Sequence, residues 1–258
     1  MSTAHDFEST SVRDQVSEEE WQVRVDLAAL YRLIALYGWD DLVFTHISMR
    51  VPGPVHHFLM NPMGMFWDEI TASSLVKIDL EGNKIIPSDY GVNAAGFTIH
   101  GAVHMSAPHH GCVIHTHSDD GTAVASQKEG LLPLTQHALQ VYPDIAYHDY
   151  EGIALNHDER PRFLADLGDK HCLILRNHGL MTVGRDAGDA FMRHFLLERA
   201  CTMQVRAQGG GTLHMPSQES QDTVERQGGT NREDLKAHYV SWPGLLRKLD
   251  RIDASFRD

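Results

Sequence analysis

Two histidines that lie two residues apart, His115 and His117, have the clearest chemical meaning in this sequence. They follow the apolar run 111–114 and precede Ser118 and Asp119, residues typical of helix starts. The pattern predicts a strand that ends in both histidines and turns into a helix. Because residues i and i+2 of a strand face the same side about 6.6 Å apart, both imidazoles can bind one divalent metal ion. Two partly buried histidines without a metal are the alternative.

The composition is that of a globular protein that binds neither nucleic acid nor membrane. The 258 residues suffice for one large domain or two small ones with an extensive core. A net charge of −13, with no Lys or Arg run longer than two, argues against a phosphate-binding surface. No apolar run reaches the roughly 18 residues of a membrane span, and the N-terminus lacks the pattern of a signal peptide. The sequence therefore predicts a cytoplasmic location.

Histidine and cysteine both bear on metal binding. The 18 histidines are an unusual number and justify a search for metal-ligand spacing. The three cysteines lie far apart in apolar segments, so we expect buried thiols rather than disulfides or a zinc knuckle. They are Cys112, Cys172 and Cys201.

The first half of the chain predicts a leader, a long helix, short strands and a second helix. Residues 1–16 are polar and unpatterned, and we expect a mobile leader. Ser17 and Glu20 form a capping box that opens a helix, and Gly38 ends it. The other elements expected here are strands at 42–51, 57–60 and 76–80 and a helix at 94–106.

The second half predicts the helix after the histidine pair and a hairpin that presents His178. The expected elements are a helix at 118–128, irregular structure with short strands at 131–155, a helix at 158–167, strands at 170–176 and 180–183, and a helix at 186–208. Residues 209–230 are expected to be flexible, and residues 231–258 to form a helical tail interrupted at Pro243. Short strands with interspersed helices indicate one α/β domain, residues 17–208, around a mostly antiparallel or mixed sheet.

Several separated segments resemble the class II aldolase/adducin family over about residues 21–208. They are Gly96-Phe97-Thr98-Ile99-His100, Val113-Ile114-His115-Thr116-His117, Ala146-Tyr147-His148-Asp149-Tyr150 and Leu175-Arg176-Asn177-His178-Gly179-Leu180. A further segment, 71–77, is similar to the adducin head. The resemblance implies a three-layer αβα fold, a homotetramer and a small-molecule substrate.

The resemblance also implies a divalent metal ion held by three histidines. Carried over by motif, the ligands are His115, His117 and His178. Zinc is the expected ion, with manganese, iron, cobalt or nickel as alternatives. Three neutral imidazoles with an open coordination position are typical of catalytic zinc, which acts as a Lewis acid on a carbonyl or enolate oxygen.

The sequence departs from the family's aldolases at the position of their catalytic base. Those enzymes carry a glutamate 19 residues before the first ligand histidine, where this chain and the adducin heads have Gly96. The loss of a placed base costs on the order of 10²–10⁴ in rate, which argues against plain aldolase activity. The substitute catalytic residues we predict are His100, Tyr147 and His148, each with a structural role as the alternative. His46 and His104 are further candidates for proton transfer.

A second departure concerns the substrate phosphate. The hydroxyl-bearing turns that hold it in the aldolases correspond here to Thr45-His46, Met63-Gly64 and Ala94-Ala95. We therefore expect a non-phosphorylated hydroxy or keto acid. The expected substrate pocket contains His46, Met63, Gly64, Ala95 and Gly96. Asp149 is either a partner that orients a ligand imidazole or a solvated loop acid.

These features predict a metal-dependent lyase that cleaves C–C bonds, by aldol cleavage or decarboxylation. Two alternatives stay open at this point. One is an iron-dependent oxygenase that uses the same three histidines, although they depart from the usual two-histidine, one-carboxylate site. The other is a non-catalytic binding module like the adducin head.

Overall fold

A seven-stranded mixed sheet forms the centre of the computed structural model, which describes residues 11–53, 56–107, 109–152, 157–227 and 237–258. The strand order is β3-β2-β1-β4-β7-β6-β5, with only the β5–β6 pair parallel within these residues. The strands are β1 (His46–Arg50), β2 (Phe58–Met60), β3 (Val76–Ile78), β4 (Cys112–Thr116), β5 (Ile145–His148), β6 (Cys172–Leu175) and β7 (Gly179–Gly184). The predicted α/β fold with a mostly antiparallel or mixed sheet is confirmed.

Helices cover both faces of this sheet. They are α1 (Glu18–Leu36), α2 (Ala94–Ser106), α3 (Asp119–Ala125), α4 (Gln136–Val141), α5 (Arg160–Leu167), α6 (Ala187–Gln208), α7 (Gln218–Arg226) and α8 (Ala237–Ile252). One face packs against α2 and α5, and the other against α1, α3, α4 and α6. The predicted three-layer αβα arrangement is therefore confirmed.

Alternation along β4 sends its side chains to opposite faces. Cys112 and Ile114 are buried in the core formed with α1 and α6, whereas Val113 is buried in the core formed with α2 and α5. Each such aliphatic side chain stabilises the fold by about 1.5–3 kcal/mol when it is fully buried. This burial fixes the register, and the period of two then places His115 on the α2 side.

The hydroxyl of Tyr31 joins α1 to the first two strands. It accepts hydrogen bonds from Ile47 N at 2.8 Å and from Asn61 N at 3.1 Å. Its proton lies between Ile47 O and the side-chain oxygen of Asn61. Burial raises the pKa of Tyr31 well above its usual value, so the hydroxyl stays protonated. One side chain thereby satisfies buried polar groups of both β1 and β2.

The structure differs from the sequence-based expectation in three helical segments. Helix α4 lies in the region expected to be irregular, where Thr135 caps it at Ala138 N. Helix α7 lies within the segment 209–230 that was expected to be flexible, and Ser217 caps it at Ser220 N. Both caps satisfy a free backbone donor, which favours a short helix.

Helix α8 continues through Pro243, so the predicted interruption there is wrong. Proline removes one backbone hydrogen bond from a helix, but tertiary packing compensates for it here. Leu249 is buried in the main core, Leu245 and Leu246 pack against it, and Trp242 donates a hydrogen bond to Asp26 at 3.1 Å.

The structure describes only part of the predicted leader and of the segment before α8. Residues 1–10 of the predicted leader and residues 228–236 before α8 lie outside the described residues, while residues 12–15 form a 3₁₀ turn. None of the helices in the described residues is both long enough and apolar enough to cross a membrane.

We predict that Tyr31→Phe destabilises the protein by about 1–3 kcal/mol, because it leaves buried groups of Ile47 and Asn61 without partners. Urea denaturation measures the change. Tyr37→Phe is the control, since the hydroxyl of Tyr37 has no such role between strands and its ring stacks on Trp39. Equal unfolding midpoints for the two variants would contradict the importance given to the Tyr31 hydroxyl.

Candidate metal centre

Two adjacent strand ends bring the three predicted metal ligands together. His115 lies in β4 and His117 directly follows it, while His178 lies in the turn between β6 and β7. Strand β7 pairs with β4, with Thr116 opposite Leu180. Gly179 permits the close approach, because a Cβ there would lie 2.3 Å from Thr116 O. One ligand nitrogen from each histidine lies within 4.8 Å of the others.

The strand-to-helix turn around His117 is anchored by a buried carboxylate on α6. Glu198 accepts hydrogen bonds from Thr116 Oγ1 at 3.0 Å and from Ser118 Oγ at 2.7 Å. The hydroxyl of Ser118 also caps α3 through Gly121 N at 3.2 Å. The residues before and after His117 are therefore both held in place, and its own side chain points to the opposite side of the strand.

Hydrogen bonds fix the tautomers of two of these histidines. Nδ1 of His115 donates to Leu180 O at 3.0 Å, and Nδ1 of His117 donates to Asp41 Oδ2 at 3.0 Å. Each Nε2 therefore carries a lone pair when the ring is neutral. The two Nε2 atoms lie 3.0 Å apart, and two lone pairs at that distance repel each other. A cation between them turns the repulsion into ligation, so the residues present fit a divalent metal ion.

The surroundings of His115 and His178 keep these two imidazoles neutral. Burial lowers the pKa of His115 well below its usual value, and the neighbouring His46 and His178 lower it further. Burial likewise lowers the pKa of His178 to about 4, with His117 adding to the effect. Neutral imidazole is the form that binds metal ions, so these rings are ready to bind at pH 7.

A cavity of about 790 Å³ opens beside the three histidines. Five acidic residues line it: Asp41, Asp119, Asp149, Glu151 and Glu159. Among the described residues of the lining, Arg176 is the one Lys or Arg. It donates to Gln127 O at 2.8 Å and stacks on the ring of Tyr147 at 4.2 Å. The cavity is large enough for a small metabolite.

Comparisons with known proteins agree with this geometry. The family model of the Class II Aldolase and Adducin N-terminal domain matches residues 25–205. The chain belongs to the class II aldolase and adducin family. A protein of Caulobacter vibrioides, provisionally named an aldolase class 2 protein, is 56% identical over 250 residues, with 96% of each chain covered. Alpha-adducin of Mus musculus is 45% identical over 194 residues, which are 73% of this chain and 26% of the adducin.

Solved structures in this family share the fold. An aldolase II superfamily protein from Pseudomonas syringae superposes with a TM-score of 0.90 and 48% identity, over 96% of this chain and 100% of that one. An L-fuculose 1-phosphate aldolase from Glaciozyma antarctica superposes with a TM-score of 0.80 and 27% identity, over 93% of each chain. The family thus includes both a named aldolase and the adducins.

Two of the predicted pocket residues line the cavity next to the metal centre. His46 on β1 lies opposite His115 on β4, and their ring centres are 5.4 Å apart. Gly96 lies in the first turn of α2, where its N–H donates to Asn93 Oδ1 at 3.2 Å. In the class II aldolases this helical position is the one expected to carry the glutamate base.

The other predicted pocket residues are placed differently. Met63 is exposed, Gly64 has open space around it, and neither lines the cavity. Both follow β2, which β1 separates from β4, so they lie toward the β3 edge of the sheet. Ala95 belongs to α2, but its side chain lies outside the described part of the structure.

Of the three predicted catalytic residues, only His148 reaches the cavity. Its Nδ1 lies 2.7 Å from Asp166 Oδ2 and its Nε2 lies 3.2 Å from Glu159 Oε1. Each ring nitrogen thus already has a carboxylate partner within the protein. This arrangement does not suit a general base.

Tyr147 and His100 do not line the cavity. Tyr147 alternates with His148 along β5 and packs on the opposite side of the sheet, where its hydroxyl accepts from Leu131 N at 3.1 Å. His100 is buried behind His46, and their ring centres are 4.3 Å apart. A direct contact of either residue with substrate is therefore not available in this arrangement.

Sequence reasoning missed Asp41 as a partner of a metal ligand. Asp149 was the carboxylate considered for that role; it lines the cavity, but the carboxylate that holds a ligand imidazole is that of Asp41. Asp41 lies 76 residues before His117 in a loop without a motif. A local pattern could not have indicated it, because the contact depends on how the loop before β1 folds against the end of β4.

Two histidines of α2 form a buried array with β1. Ser48 Oγ lies 2.7 Å from His100 Nδ1 and 2.7 Å from His104 Nε2. Nδ1 of His104 donates to His110 O at 2.7 Å. Burial lowers the pKa of His104 to about 3, and the hydrogen bond to the carbonyl of His110 opposes this shift only in part. We name these three residues, His100, Ser48 and His104, the serine–histidine array.

We predict that Asp41→Asn weakens zinc binding about 10- to 100-fold, because the hydrogen bond that orients His117 becomes weaker. Competition with a chromophoric chelator measures the affinity. Asp119→Asn is the matched control, since it removes a charge from the same cavity without touching a ligand imidazole. A similar loss in both variants would mean that charge, not orientation, is what Asp41 supplies.

We further predict that acid destabilises the protein through His104. A folded-state pKa of about 3, below the value of 6.5 for a free histidine, means that the stability is fully present above pH 6.5. It is lost as the pH falls toward 3, by about 1.4 kcal/mol per pH unit for one such histidine. His104→Gln should therefore make the free energy of unfolding less dependent on pH between 6.5 and 5.

The measurement is chemical denaturation at several pH values within that window. His214→Gln serves as the control, because His214 is exposed. An unchanged slope in His104→Gln would show that His104 is not a source of the acid sensitivity.

Proposed function

We propose that this protein is a metal-dependent lyase that cleaves a C–C bond, by aldol cleavage or decarboxylation, in a non-phosphorylated hydroxy or keto acid. The observation that carries the proposal is the pair of facing Nε2 atoms of His115 and His117, whose Nδ1 protons are already committed. With His178 they make a three-imidazole donor set beside a cavity. Zinc is the proposed ion, with manganese, iron, cobalt or nickel as alternatives.

Some residues of the centre would bind the metal ion, and others orient the binding side chains. His115, His117 and His178 would hold the ion, while Asp41 and the carbonyl of Leu180 keep two of these rings in the ligating tautomer. A bound divalent ion supplies Lewis acidity toward a carbonyl or enolate oxygen. The neutral donor set leaves the ion its full charge, which favours this role.

The charges around the cavity support a substrate without a phosphate. Five carboxylates line the cavity, and a phosphate dianion would be repelled by them at short range. A single carboxylate group can be attracted by the metal ion. A hydroxy or keto acid carries this one charge together with the oxygen that the metal ion would polarise.

A non-catalytic binding module is the second candidate function. The similarity to alpha-adducin and the glycine at position 96 favour it, because the aldolase base is missing. A ligand-binding module would keep the metal site and the cavity but show no turnover. The cytoplasmic location and the homotetramer remain proposals drawn from the sequence and from the family.

The proposal predicts that the purified protein contains close to one divalent ion per chain by elemental analysis. His178→Asn should lose the ion, because two imidazoles bind divalent metal more weakly than three. His137→Asn, outside the centre, should keep it. A metal-free protein that also fails to bind zinc, manganese, iron, cobalt or nickel on addition would refute the proposed centre.

Activity is tested on the metal-loaded protein with a panel of hydroxy and keto acids, with products followed by NMR. We expect C–C cleavage of at least one of them and its loss in His178→Asn. Stabilisation by a ligand without turnover would favour the binding module instead, since a ligand raises the melting temperature by mass action. Activity that requires oxygen would favour the oxygenase alternative.

A further inference from the structure

The imidazole of His46 fills the space that a side chain at position 96 would need. A Cβ built on Gly96 would lie 2.3 Å from Cε1 of His46, 2.4 Å from Nε2 and 2.5 Å from Nδ1. Real Cβ atoms do not approach other atoms so closely, so no other residue type fits at position 96 while His46 holds its place. The glycine and the histidine are therefore mutually dependent.

The place that His46 occupies is next to the metal centre. Both Gly96 and His46 line the cavity, and His46 lies in register with His115 on the neighbouring strand. The side chain is buried. The sequence differences from the aldolases at positions 46 and 96 are therefore linked, because the glycine at position 96 leaves the space that the ring of His46 occupies.

The serine–histidine array behind His46 determines which tautomers are available. Nδ1 of His104 donates to a carbonyl, so its Nε2 must accept the proton of Ser48. The oxygen of Ser48 then accepts from Nδ1 of His100. Each step follows because a hydroxyl has one proton and a neutral imidazole has one N–H. Nε2 of His100 is left with a lone pair.

Nδ1 of His46, on the facing ring, is the available donor for this lone pair of His100. Nε2 of His100 and Nδ1 of His46 are both buried without a hydrogen-bond partner, and the two ring centres are 4.3 Å apart. With a proton on Nδ1, His46 has a donor for the lone pair of His100 Nε2 on this facing ring. A buried polar atom without a partner is costly, which favours this tautomer of His46.

We infer that Gly96 and His46 are a coupled pair in which His46 takes the space of the aldolase glutamate, and that the serine–histidine array holds His46 in the tautomer whose Nε2 offers a hydrogen-bond acceptor to the cavity. Such an acceptor pairs with a hydroxyl group, so a hydroxy acid is preferred over the corresponding keto acid. The substrate preference rests on the proposed function, whereas the coupling rests on the fold alone.

A double-mutant cycle tests the coupling through thermal stability. Gly96→Ala should lower the melting temperature of the full-length protein by about 4–8 °C, because the added Cβ overpacks against His46. In the His46→Ala background the same change should raise it by about 2 °C, because alanine is favoured over glycine within a helix. An equal effect of Gly96→Ala in both backgrounds would overturn the coupling.

Gly101→Ala is the matched control in the same helix. Its added Cβ would meet only the flexible end of the Phe97 side chain, at 3.3 Å. Its effect on the melting temperature should therefore be the same with and without His46. A change of sign in this control as well would mean that the His46→Ala background is altered throughout α2.

The tautomer is tested by ¹⁵N NMR of histidine-labelled, metal-free protein, with the His46 signals identified by their loss in His46→Gln. The expected spectrum has one tautomer of His46, protonated at Nδ1. Ser48→Ala should produce a mixture of tautomers, while Ser126→Ala in the cavity wall should not. A wild-type His46 protonated at Nε2 would overturn the role of the array.

The substrate preference is tested with lactate and pyruvate, which differ at one hydroxyl. Zinc-loaded protein should bind lactate about fivefold more tightly, as expected for one added hydrogen bond, and the ratio should fall to about one in His46→Ala. Equal affinities, or no binding of either acid to zinc-loaded protein, would overturn the preference. Failure to bind zinc would instead count against the proposed function.

Discussion

The Nδ1 protons of His115 and His117 are held by the carbonyl of Leu180 and by Asp41, and the chemistry of the site depends on these two bonds. They leave both Nε2 atoms as acceptors 3.0 Å apart, a contact that a cation relieves. Strand β7 supplies one of the partners and the loop before β1 supplies the other. The candidate metal centre is thus a consequence of how three segments pack, with the sheet as the common support.

Three further histidines are buried between the same sheet and α2. His46, His100 and His104 are at most 7% exposed, and burial lowers the pKa of each below its usual value. As neutral rings, His100 and His104 pair with the hydroxyl of Ser48, and His104 pairs also with the carbonyl of His110. These bonds limit the cost of burying polar groups. Acid pH acts against this arrangement, because the unfolded chain binds protons that the folded one excludes.

Membership in a family with both an aldolase and the adducins sets limits on what the fold implies. One fold supports several functions, and the function depends on the residues at the site. Here the three imidazoles and the cavity are present, position 96 is a glycine, and the ring of His46 lies where a side chain at position 96 would be. The function therefore depends on these residues rather than on the fold.

The sequence by itself determined the elements whose signals are local. The N-cap at Ser17, the helix at 94–106 and the strand that leads into the histidine pair each depend on neighbours within a few residues. The family motifs added His178, and with it the full set of candidate ligands. The predictions of these helices and this strand held because hydrophobic period and capping act over short distances along the chain.

Only the tertiary structure decided which side chains meet. Alternation along β5 turned Tyr147 away from the cavity and His148 into it, and packing carried α8 through Pro243. Asp41 reaches His117 across 76 residues, and His46 meets Gly96 across 50. Contacts of this kind depend on the register between strands and on the seating of a helix against the sheet, and no pattern of neighbouring residues records either of them.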